Sequence, residues 1–370
     1  MEDAKEETRY GTMGPVLITG GAGFLGRFLA ARLHAAGCGV TVLDDLSCAN
    51  STFDCAALAP QGIRKVRGSV FDRALVERLV GAHPLVVHFA SVVGVEETVS
   101  RTMATIENLN GTINVVRALT RDHVVMFGSS ADVYGAHSHM YDRAMREDDL
   151  FVYENGRVNR WVYPHVKTLE ENLIGNGAAR SVVVRIFNSY GPEMDYPAPK
   201  RVVPHFIDCV LHERPLLLSG DGAQRRSFCF VDDMIDGFVA VLRHAWQRRG
   251  GESSECFNIG HPEPIAIREL AHLMVGCALD AGLIDAPLPV LADRFTYSQP
   301  FDDRWHRTPD IDRARQVLGF APRVPLREGL ARTLAHYERL QRGCVAPTAQ
   351  DLRSVDGSRA LAALHAPGAD

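Results

Sequence analysis

The stretch VLITGGAGFLGRFLAARL, residues 16–33, constrains the fold of this 370-residue chain more than any other. It places Gly20, Gly23 and Gly26 between a short apolar run and a helical pattern. In such a turn the first glycine makes the bend, the second lets the backbone approach a diphosphate, and the third allows the helix to pack closely on the strand. The N–H groups and the positive dipole of the helix N-terminus then face the phosphates. The stretch therefore predicts a βα turn that binds a dinucleotide.

An acidic residue follows the next apolar run, at a position suited to contact with a ribose. Asp44 lies eighteen residues after Gly26, in the segment VLDDLS. A carboxylate there accepts hydrogen bonds from the adenosine ribose and repels a 2′-phosphate. The next few residues include no arginine that could hold such a phosphate. The sequence therefore predicts NAD rather than NADP as the cofactor.

Strand and helix patterns alternate from residue 15 to residue 130. The strand patterns are PVLIT, GVTVL, RKVRG, PLVVHFA and HVVMFGS, the helix patterns are LGRFLAARLHAAG, DRALVERLVGA and TIENLNGTINVVRAL, and SVVVRIF adds a further strand at 181–187. Alternation of this kind is typical of a parallel sheet covered by helices on both faces. We therefore predict an α/β protein with a Rossmann domain, a doubly wound parallel sheet, over residues 14–190.

The pattern changes after about residue 190, where Pro and Gly separate shorter elements. Helical patterns then recur in three places: 232–248, 265–281 and 326–342. We predict a smaller C-terminal α/β lobe over residues 191–342, whose segments interleave with the first domain. Residues 1–13 are expected to form an N-terminal tail, and residues 343–370, which are small, polar and aperiodic, a disordered tail.

Composition excludes several classes of protein. The formal charge of −5 provides no broad basic field, which argues against nucleic acid as a partner. Eight cysteines occur without any C-x-x-C pair, a distribution that predicts a reducing compartment and no structural metal. The N-terminal stretch MEDAKEETRYGTMG has no apolar run, and no apolar stretch reaches transmembrane length. We expect a soluble, cytoplasmic protein with no membrane partner.

The stretch RWVYPHVKTLEENLI, residues 160–174, contains a candidate catalytic pair. Tyr163 precedes Lys167 by four residues, so on a helix both side chains point to one face. Pro164 is expected to cost a backbone hydrogen bond and to push Tyr163 away from helical angles. A tyrosine and a lysine at this spacing also arise by chance, so a surface helix is the alternative interpretation.

A serine-rich turn predicts a partner for this pair. The segment VVMFGSSADVYG runs from a strand into a turn at the carboxyl end of the sheet, where such folds bind ligands. A tyrosine with a pKa of ~10 is a poor base at neutral pH, but the Lys167 ammonium and a positive nicotinamide favour its phenolate. Ser130 is expected to hold the substrate hydroxyl and to relay its proton to Tyr163. The alternative is a serine that satisfies local hydrogen bonds of the turn.

Six motifs occur in a characteristic order: TGGAGFLG, HFA, NxxGT, SSADVYG, YxxxK and RIFNxYGP. On these motifs the chain, from about residue 14 to residue 342, resembles an extended short-chain dehydrogenase/reductase of the NAD-dependent nucleotide-sugar epimerase/dehydratase family. The resemblance implies oxidation at sugar C4 by hydride transfer to tightly held NAD, and a C-terminal lobe that binds a UDP-sugar.

The same resemblance implies roles for individual residues. Ser130, Tyr163 and Lys167 take the catalytic positions, Asn108 matches a structural asparagine beneath the active site, and Asn188 matches a residue that contacts the diphosphate of the sugar nucleotide. The positions that match cofactor contacts are Gly20, Gly23, Phe24, Leu25, Gly26, Asp44, Ser69, Val70, Ala90, Tyr163 and Lys167. Many relatives have an aspartate beside the adenine where this chain has Ser69.

Three segments look like those of UDP-glucuronate decarboxylases (UDP-xylose synthases): PKRVVPHFI, GDGAQRRSFCFVDDM and DDRWHRTPDIDRARQVLGFAPRVPLREGL. Arg226 and Arg307 match arginines that face the substrate, where a guanidinium suits a diphosphate or a carboxylate. Each could instead be a surface arginine. Asp132 replaces a glutamate of the decarboxylases and is expected to handle the proton at C5. Ala131 lacks the acid of 4,6-dehydratases, which disfavours dehydration.

The resemblance therefore implies a lyase that decarboxylates UDP-glucuronate to a UDP-4-keto-pentose or to UDP-xylose. The alternatives are a UDP-sugar 4-epimerase and a non-catalytic NAD-binding regulator. Asn188 weakens the first alternative, because UDP-glucuronate 4-epimerases usually have threonine there. Glu193 departs from the arginine of the decarboxylases. The helices around 102–120 and 160–176 imply a homodimer through a four-helix bundle, unless they pack only within one subunit.

Overall fold

The computed structural model describes six stretches of the chain: residues 13–48, 51–153, 159–194, 201–250, 254–293 and 306–342. Nearly all of the predicted N-terminal tail and the whole predicted tail at 343–370 lie outside these stretches. Within them, no helix is both long enough and apolar enough to cross a membrane.

Strands and helices alternate through the described residues. The strands are β1 (Val16–Thr19), β2 (Val40–Asp44), β3 (Ile63–Arg67), β4 (Leu85–His88), β5 (Val124–Ser130), β6 (Arg180–Ile186), β7 (Ser189–Tyr190), β8 (Leu216–Ser219), β9 (Arg225–Ser227), β10 (Cys229–Phe230), β11 (Ser254–Ile259), β12 (Pro264–Ala266) and β13 (Val290–Asp293). The helices are α1 (Phe24–Ala35), α2 (Arg73–Gly81), α3 (Val95–Ser100), α4 (Thr102–Ala118), α5 (Val162–Gly175), α6 (Val202–Leu211), α7 (Val231–Gln247), α8 (Ile267–Asp280), α9 (Asp312–Leu318) and α10 (Leu326–Gln341).

A seven-stranded sheet in the order β3-β2-β1-β4-β5-β6-β11 forms the centre of the protein. Every pairing in it is parallel. The strand order reverses between β1 and β4, which is the arrangement of a doubly wound dinucleotide-binding sheet. The predicted fold class is therefore confirmed, and the six strand patterns read from the sequence correspond to β1 to β6.

Helices cover both faces of this sheet. Val16 and Ile18 of β1 lie in one apolar cluster with residues of α1 and α7, whereas Leu17 lies in a second cluster with residues of α2, α4 and α5. Successive residues of a strand point to opposite faces, so a strand buried on both sides must be apolar throughout. That requirement is why β1, β4 and β5 read as continuous apolar runs.

The seventh strand comes from late in the chain. β11 pairs with β6 in parallel, from Ser254 beside Ser181 to Ile259 beside Ile186. Its sequence, SECFNI, has a polar start and no alternation, and the sequence did not predict it. The helical patterns at 232–248, 265–281 and 326–342 correspond to α7, α8 and α10. The division of the chain into lobes at residue 190 stays a prediction.

Asn258, in β11, connects this strand to other segments of the protein by hydrogen bonds. Its side chain is fully buried, accepts a hydrogen bond from the Tyr134 hydroxyl at 2.7 Å, and donates to the carbonyl oxygens of Met145 at 2.9 Å and Asp310 at 3.2 Å. Loss of this amide leaves several buried polar groups without their partner.

We therefore expect Asn258→Ala to lower the free energy of unfolding by about 3 kcal/mol, since each buried group left unsatisfied costs about 1–3 kcal/mol. Ser254→Ala, in the exposed first position of the same strand, is the control and should change stability by less than about 0.5 kcal/mol. Urea unfolding followed by circular dichroism measures both, and equal midpoints for the two variants would contradict the prediction.

Candidate active site

The glycine turn between β1 and α1 leaves room for a ligand. Gly20 has a φ of 68°, and a Cβ there would lie 2.6 Å from the amide nitrogen of Ala90. A Cβ at Gly26 would lie 2.6 Å from the carbonyl oxygen of Gly20, so only glycine lets α1 start this close to β1. The turn therefore fits a dinucleotide diphosphate at the N-terminus of α1. Bound NAD supplies a hydride acceptor at this site.

Asp44, at the end of β2, is tied to the same turn. Its Oδ2 accepts a hydrogen bond from the Ala22 amide at 3.0 Å, and its Oδ1 accepts one from the Leu46 amide at 2.9 Å. Burial raises the pKa of this carboxyl, while the two amides act in the opposite direction. Each oxygen keeps a further lone pair, so the carboxylate can still accept from a ribose hydroxyl.

The other positions expected to contact the cofactor lie around this turn. Phe24 and Leu25 begin α1, Ser69 and Val70 follow β3, and Ala90 follows β4. The Ser69 hydroxyl accepts a hydrogen bond from the Phe71 amide at 3.3 Å, so it stabilises the loop in which it lies. These strands end on one edge of the sheet, and the residues that follow them are brought together there.

Tyr163 lies in the first turn of α5, and so does Pro164. The N–H groups of a first turn have no partner within the helix, so a proline at this point removes no hydrogen bond. The expectation that Pro164 costs a bond and displaces Tyr163 from the helix is therefore wrong. The tyrosine side chain is buried, and Lys167 one turn later places its Nζ 5.9 Å from the centroid of the Tyr163 ring.

Ser130 ends β5 and lies beside Tyr163. Its hydroxyl is hydrogen-bonded to the Tyr163 phenol and also accepts from the Asp132 amide at 3.1 Å, which caps a short 3₁₀ helix at Ala131–Tyr134. Ser130 therefore fits both interpretations of it: its side chain satisfies a hydrogen bond of its own turn, and it also reaches the Tyr163 phenol.

Burial raises the pKa of the Tyr163 phenol well above its usual range, and the nearby carboxylates of Asp132 and Glu170 raise it further. The hydrogen bond from Ser130 and the charge of Arg201 act in the opposite direction. In this environment the phenol is protonated at neutral pH, so a further positive charge is needed before it can act as a base.

Asp132 lies within a group of buried arginines. Its Oδ1 is 2.9 Å from Arg160 and 2.5 Å from Arg307, and Arg226 also lies close enough to act on its charge. Burial alone would raise the pKa of Asp132, but the guanidinium groups hold it well below the usual range. Guanidinium groups gathered in this way suit an anionic ligand.

The arginines are brought together by short strand contacts in the later part of the chain. Arg226 lies in β9, and residue 307 forms an isolated bridge with it. The Asn188 side-chain amide donates to the Ser227 carbonyl at 3.1 Å, which joins the segment after β6 to β9. Asn108 forms a similar brace: its Oδ1 accepts from the Val92 amide at 2.9 Å, in the loop after β4.

Glu193 follows Asn188 and has a partner of opposite charge. Its Oε2 lies 3.1 Å from the Nε of Arg27, a fully buried residue of α1. Its backbone has a φ of 65°, which is unfavourable for a side chain with a Cβ. The pair ties the loop after β7 to the helix that carries the glycine turn, and it neutralises the acid at this edge of the site.

The sequence did not single out Arg160 or Glu170, which both contact proposed site residues. Arg160 lies three residues before Tyr163, and Glu170 lies three residues after Lys167. Helical spacing from the candidate pair Tyr163 and Lys167 was therefore a signal that could have found both. Within the described stretches, no group of three or more His, Cys, Asp or Glu side chains is placed to hold a metal.

The glycine turn gives a direct test of cofactor binding. Gly20→Ala places a methyl group against Ala90 and keeps an unfavourable φ, so we expect NAD affinity to fall by at least about tenfold, about 1.4 kcal/mol. Gly37→Ala, at the other end of α1, has a similar φ of 84° with nothing within 4 Å. This control should lose some stability but keep its affinity. Isothermal titration with NAD measures both, and an equal loss in both variants would contradict the placement.

Comparisons with known proteins agree with this geometry. A model of the NAD dependent epimerase/dehydratase family matches residues 16–260. The chain is 30% identical to a UDP-N-acetyl-alpha-D-glucosaminuronate decarboxylase of Bacillus cytotoxicus, over 88% of this chain and 98% of that protein. It is also 30% identical to UDP-glucuronic acid decarboxylase 2 of Arabidopsis thaliana (85% and 66%) and 31% identical to a UDP-glucose 4-epimerase of Mycolicibacterium smegmatis (87% and 97%).

A solved structure shows the same fold with ligands. MoeE5 in complex with UDP-glucuronic acid and NAD is 26% identical, with a TM-score of 0.69, over 88% of this chain and the whole of the other. The family model covers well over half of the chain, and the glycine turn and Asp44 suit its cofactor. The chain therefore belongs to the NAD-dependent epimerase/dehydratase family of extended short-chain dehydrogenases/reductases, and it is an enzyme that uses NAD.

Proposed function

We propose that this enzyme decarboxylates a UDP-uronate, with UDP-glucuronate as the substrate to be tested first. The observation that carries the proposal is the group of Asp132 with the buried Arg160, Arg226 and Arg307, which lies next to the proposed base Tyr163. Guanidinium groups are suited to bind a uronate carboxylate and a diphosphate, whereas the sugar of a neutral hexose has no anionic group for them.

Relatives support this choice. The proteins from Bacillus cytotoxicus and Arabidopsis thaliana are named as decarboxylases of UDP-uronates, which differ at the C2 substituent of the sugar. MoeE5, with the same fold, was solved with UDP-glucuronic acid and NAD. We therefore propose a UDP-sugar in the region where Asn188, Arg226 and Arg307 converge, with residues 191–342 as the substrate-binding lobe.

The first step in the proposed mechanism is oxidation at C4. Tyr163, as phenolate, takes the proton of the C4 hydroxyl while Ser130 holds that hydroxyl. NAD, held at the glycine turn and at Asp44, would accept the C4 hydride. The Lys167 ammonium lies beside the Tyr163 ring and helps to hold the groups around the phenol in place. General-base catalysis by such a group typically contributes a factor of about 10²–10⁴ in rate.

The second step is loss of carbon dioxide. The oxidised sugar is a β-keto acid, so the C5–C6 bond breaks and its electron pair moves into the C4 carbonyl. The protonated Tyr163 and the Ser130 hydroxyl donate hydrogen bonds to the oxyanion that develops at C4. A proton is then added at C5. Return of the hydride to C4 gives UDP-xylose, and release before that step gives the UDP-4-keto-pentose.

The surroundings of Asp132 refine its proposed role. An ionised carboxylate held by Arg160 and Arg307 has no proton of its own to give, so it serves at C5 only by orienting a water molecule. We propose that it chiefly positions the two guanidinium groups. Truncating one member of such a buried group removes a counter-charge from the others, which is destabilising.

A 4-epimerase is the second candidate, because the relative from Mycolicibacterium smegmatis is named as one. Epimerisation uses the same Ser130, Tyr163 and Lys167 and also requires the keto sugar to rotate between oxidation and hydride return. The two reactions give different products from one substrate, since only decarboxylation releases carbon dioxide.

The purified enzyme, incubated with NAD and UDP-glucuronate, is expected to release carbon dioxide and a UDP-pentose, measured by mass spectrometry. UDP-N-acetylglucosaminuronate, UDP-glucose and dTDP-glucose form the rest of the panel. Unchanged UDP-glucuronate, or UDP-galacturonate alone, would contradict decarboxylation of this substrate.

A pair of tyrosine variants controls this assay. Tyr163→Phe should keep its NAD affinity and lose turnover by about 10²-fold or more, because it removes the base. Tyr337→Phe removes a hydroxyl that donates to the Met194 carbonyl at 3.0 Å, in a different part of the protein, and should turn over normally. Full activity in Tyr163→Phe would overturn the assigned base.

We also propose that the enzyme forms a homodimer through α4 and α5. These helices pack against each other, yet their outer side carries the exposed apolar side chains of Met103, Ile106 and Leu169. Met103 is 67% exposed and Leu169 52%, which is unusual for a helix pair with no further partner. A second copy related by twofold symmetry would pair the two helices with two more and form a four-helix bundle.

Charged residues on this surface test the dimer. The double variant Met103→Glu/Ile106→Glu is expected to be a monomer, because two buried carboxylates without partners oppose association. Val317→Glu, at an exposed apolar position of α9, is the control and should leave the assembly unchanged. Light scattering during size-exclusion chromatography measures the mass, and a monomeric unmodified protein would refute the proposal.

A further inference from the structure

Glu170 is a buried carboxylate that faces the proposed catalytic lysine. It lies on α5 with 0% of its surface exposed. Its Oε2 is 3.0 Å from the Nζ of Lys167, and its Oε1 accepts a hydrogen bond from the Thr112 hydroxyl on α4 at 2.5 Å. A carboxylate is stable at such depth only when it is paired and hydrogen-bonded, and here both conditions are met.

The hydrogen bond from Thr112 is the end of a longer chain. The Thr112 proton goes to Glu170, so its oxygen can only accept from His88 Nε2, at 3.0 Å. His88 Nδ1 must then accept from the Thr19 hydroxyl, at 2.7 Å, and the Thr19 oxygen accepts from the Ala90 amide, at 3.3 Å. Burial lowers the pKa of His88 to about 4, so this imidazole is neutral and carries its proton on Nε2.

The surroundings of Lys167 contain no second carboxylate that the structure brings into contact with it, within the described stretches. Its Nζ donates to the Gly128 carbonyl at 3.3 Å and lies 4.7 Å from the centroid of the Phe127 ring. The carbonyl and the ring hold the ammonium in place, but Glu170 is its counter-charge. Lys167 and Glu170 therefore form an ion pair without net charge beside Tyr163.

We propose that Glu170 is a positioning residue that fixes the Lys167 ammonium and cancels its charge, so that Tyr163 becomes a base only when the oxidised cofactor adds a positive charge. The proposal rests on the assignment of Tyr163 and Lys167 as the catalytic pair. It concerns what sets the acidity of the phenol, whichever sugar the enzyme uses.

The other charged groups around the phenol are consistent with this role. From the 3₁₀ helix Asp132 adds a negative charge, and from the segment before α6 Arg201 adds a positive one. Ser130 on β5 contributes a hydrogen bond, and His88 on β4 is neutral. Arg160 and Arg307 pair with Asp132, and Arg226 also acts on its charge. Since Glu170 likewise pairs with Lys167, the phenol remains in surroundings that favour its protonated form at neutral pH.

The test is a spectroscopic titration of Tyr163, which needs no sugar substrate. Phenolate absorbance near 295 nm is followed against pH for the unmodified protein and for Glu170→Gln, each with its Tyr163→Phe counterpart subtracted. Removal of a neighbouring negative charge favours the phenolate, so the phenol of Glu170→Gln should titrate lower by about 1 pH unit or more. Saturating NAD should lower the titration in the unmodified protein as well.

Two control variants separate charge from shape. Glu170→Asp keeps the charge and should titrate close to the unmodified protein. Glu171→Gln removes the neighbouring half-buried carboxylate, which accepts from Ser129 and pairs with Arg185 at 2.9 Å, and it should lower thermal stability without moving the Tyr163 titration. A folded Glu170→Gln protein whose phenol titrates at the same pH as the unmodified protein, or higher, would overturn the proposal.

A double variant decides the matter if Glu170→Gln does not fold. Lys167→Met/Glu170→Met replaces both charges with apolar side chains, an exchange that buried ion pairs often tolerate. If the pair is neutral, Tyr163 in the double variant titrates within about half a pH unit of the unmodified protein without NAD. An upward shift of about 1 unit or more would mean that Lys167 is not cancelled, and would overturn the proposal. Because no sugar is present, either result is independent of whether decarboxylation is the reaction.

Discussion

A parallel sheet presents the carboxyl ends of all its strands along one edge, and every feature of this active site depends on that constraint. The glycine turn follows β1, Asp44 ends β2, and Ser130 ends β5. Residues that are far apart in the chain therefore meet over a short distance, without any long loop to position them. The helices that return from this edge then supply the second half of the site, since α5 begins with Tyr163 and carries Lys167 one turn later.

The site contains two groups of charged residues. Around Asp132 three guanidinium groups gather, where an anionic sugar nucleotide is proposed to bind. Around Lys167 the single ammonium is matched by Glu170, and a chain of hydrogen bonds donates in one direction from the Ala90 amide, beside the glycine turn, to Glu170. The guanidinium groups suit an anion, and the paired lysine is the arrangement that is proposed to keep Tyr163 protonated until the cofactor is present.

The sequence was sufficient for the parallel sheet, for its first six strands and for the positions of the glycine turn and Ser130 at strand ends, because strict spacing and apolar runs determine them. It was insufficient for β11, since the apolar and polar residues of SECFNI do not alternate and the segment becomes a strand only through pairing with β6. Pro164 was misread because its effect depends on where the helix begins, and α5 begins only two residues earlier. Arg160 and Glu170 were missed because buried charges look like solvent-exposed ones in a sequence, and only packing reveals their partners.

The late arrival of β11 has a consequence for biosynthesis. Until residues 254–259 have emerged from the ribosome, β6 has a neighbour on one side only, and its row of unpaired amides and carbonyls is open. Its apolar core, VVV at 182–184, makes that row a template for pairing with another nascent chain. Folding of the dinucleotide-binding half therefore cannot finish co-translationally before more than two thirds of the polypeptide has been made. The interval between synthesis of β6 and synthesis of β11 is therefore the stage at which the nascent chain is most exposed to such pairing.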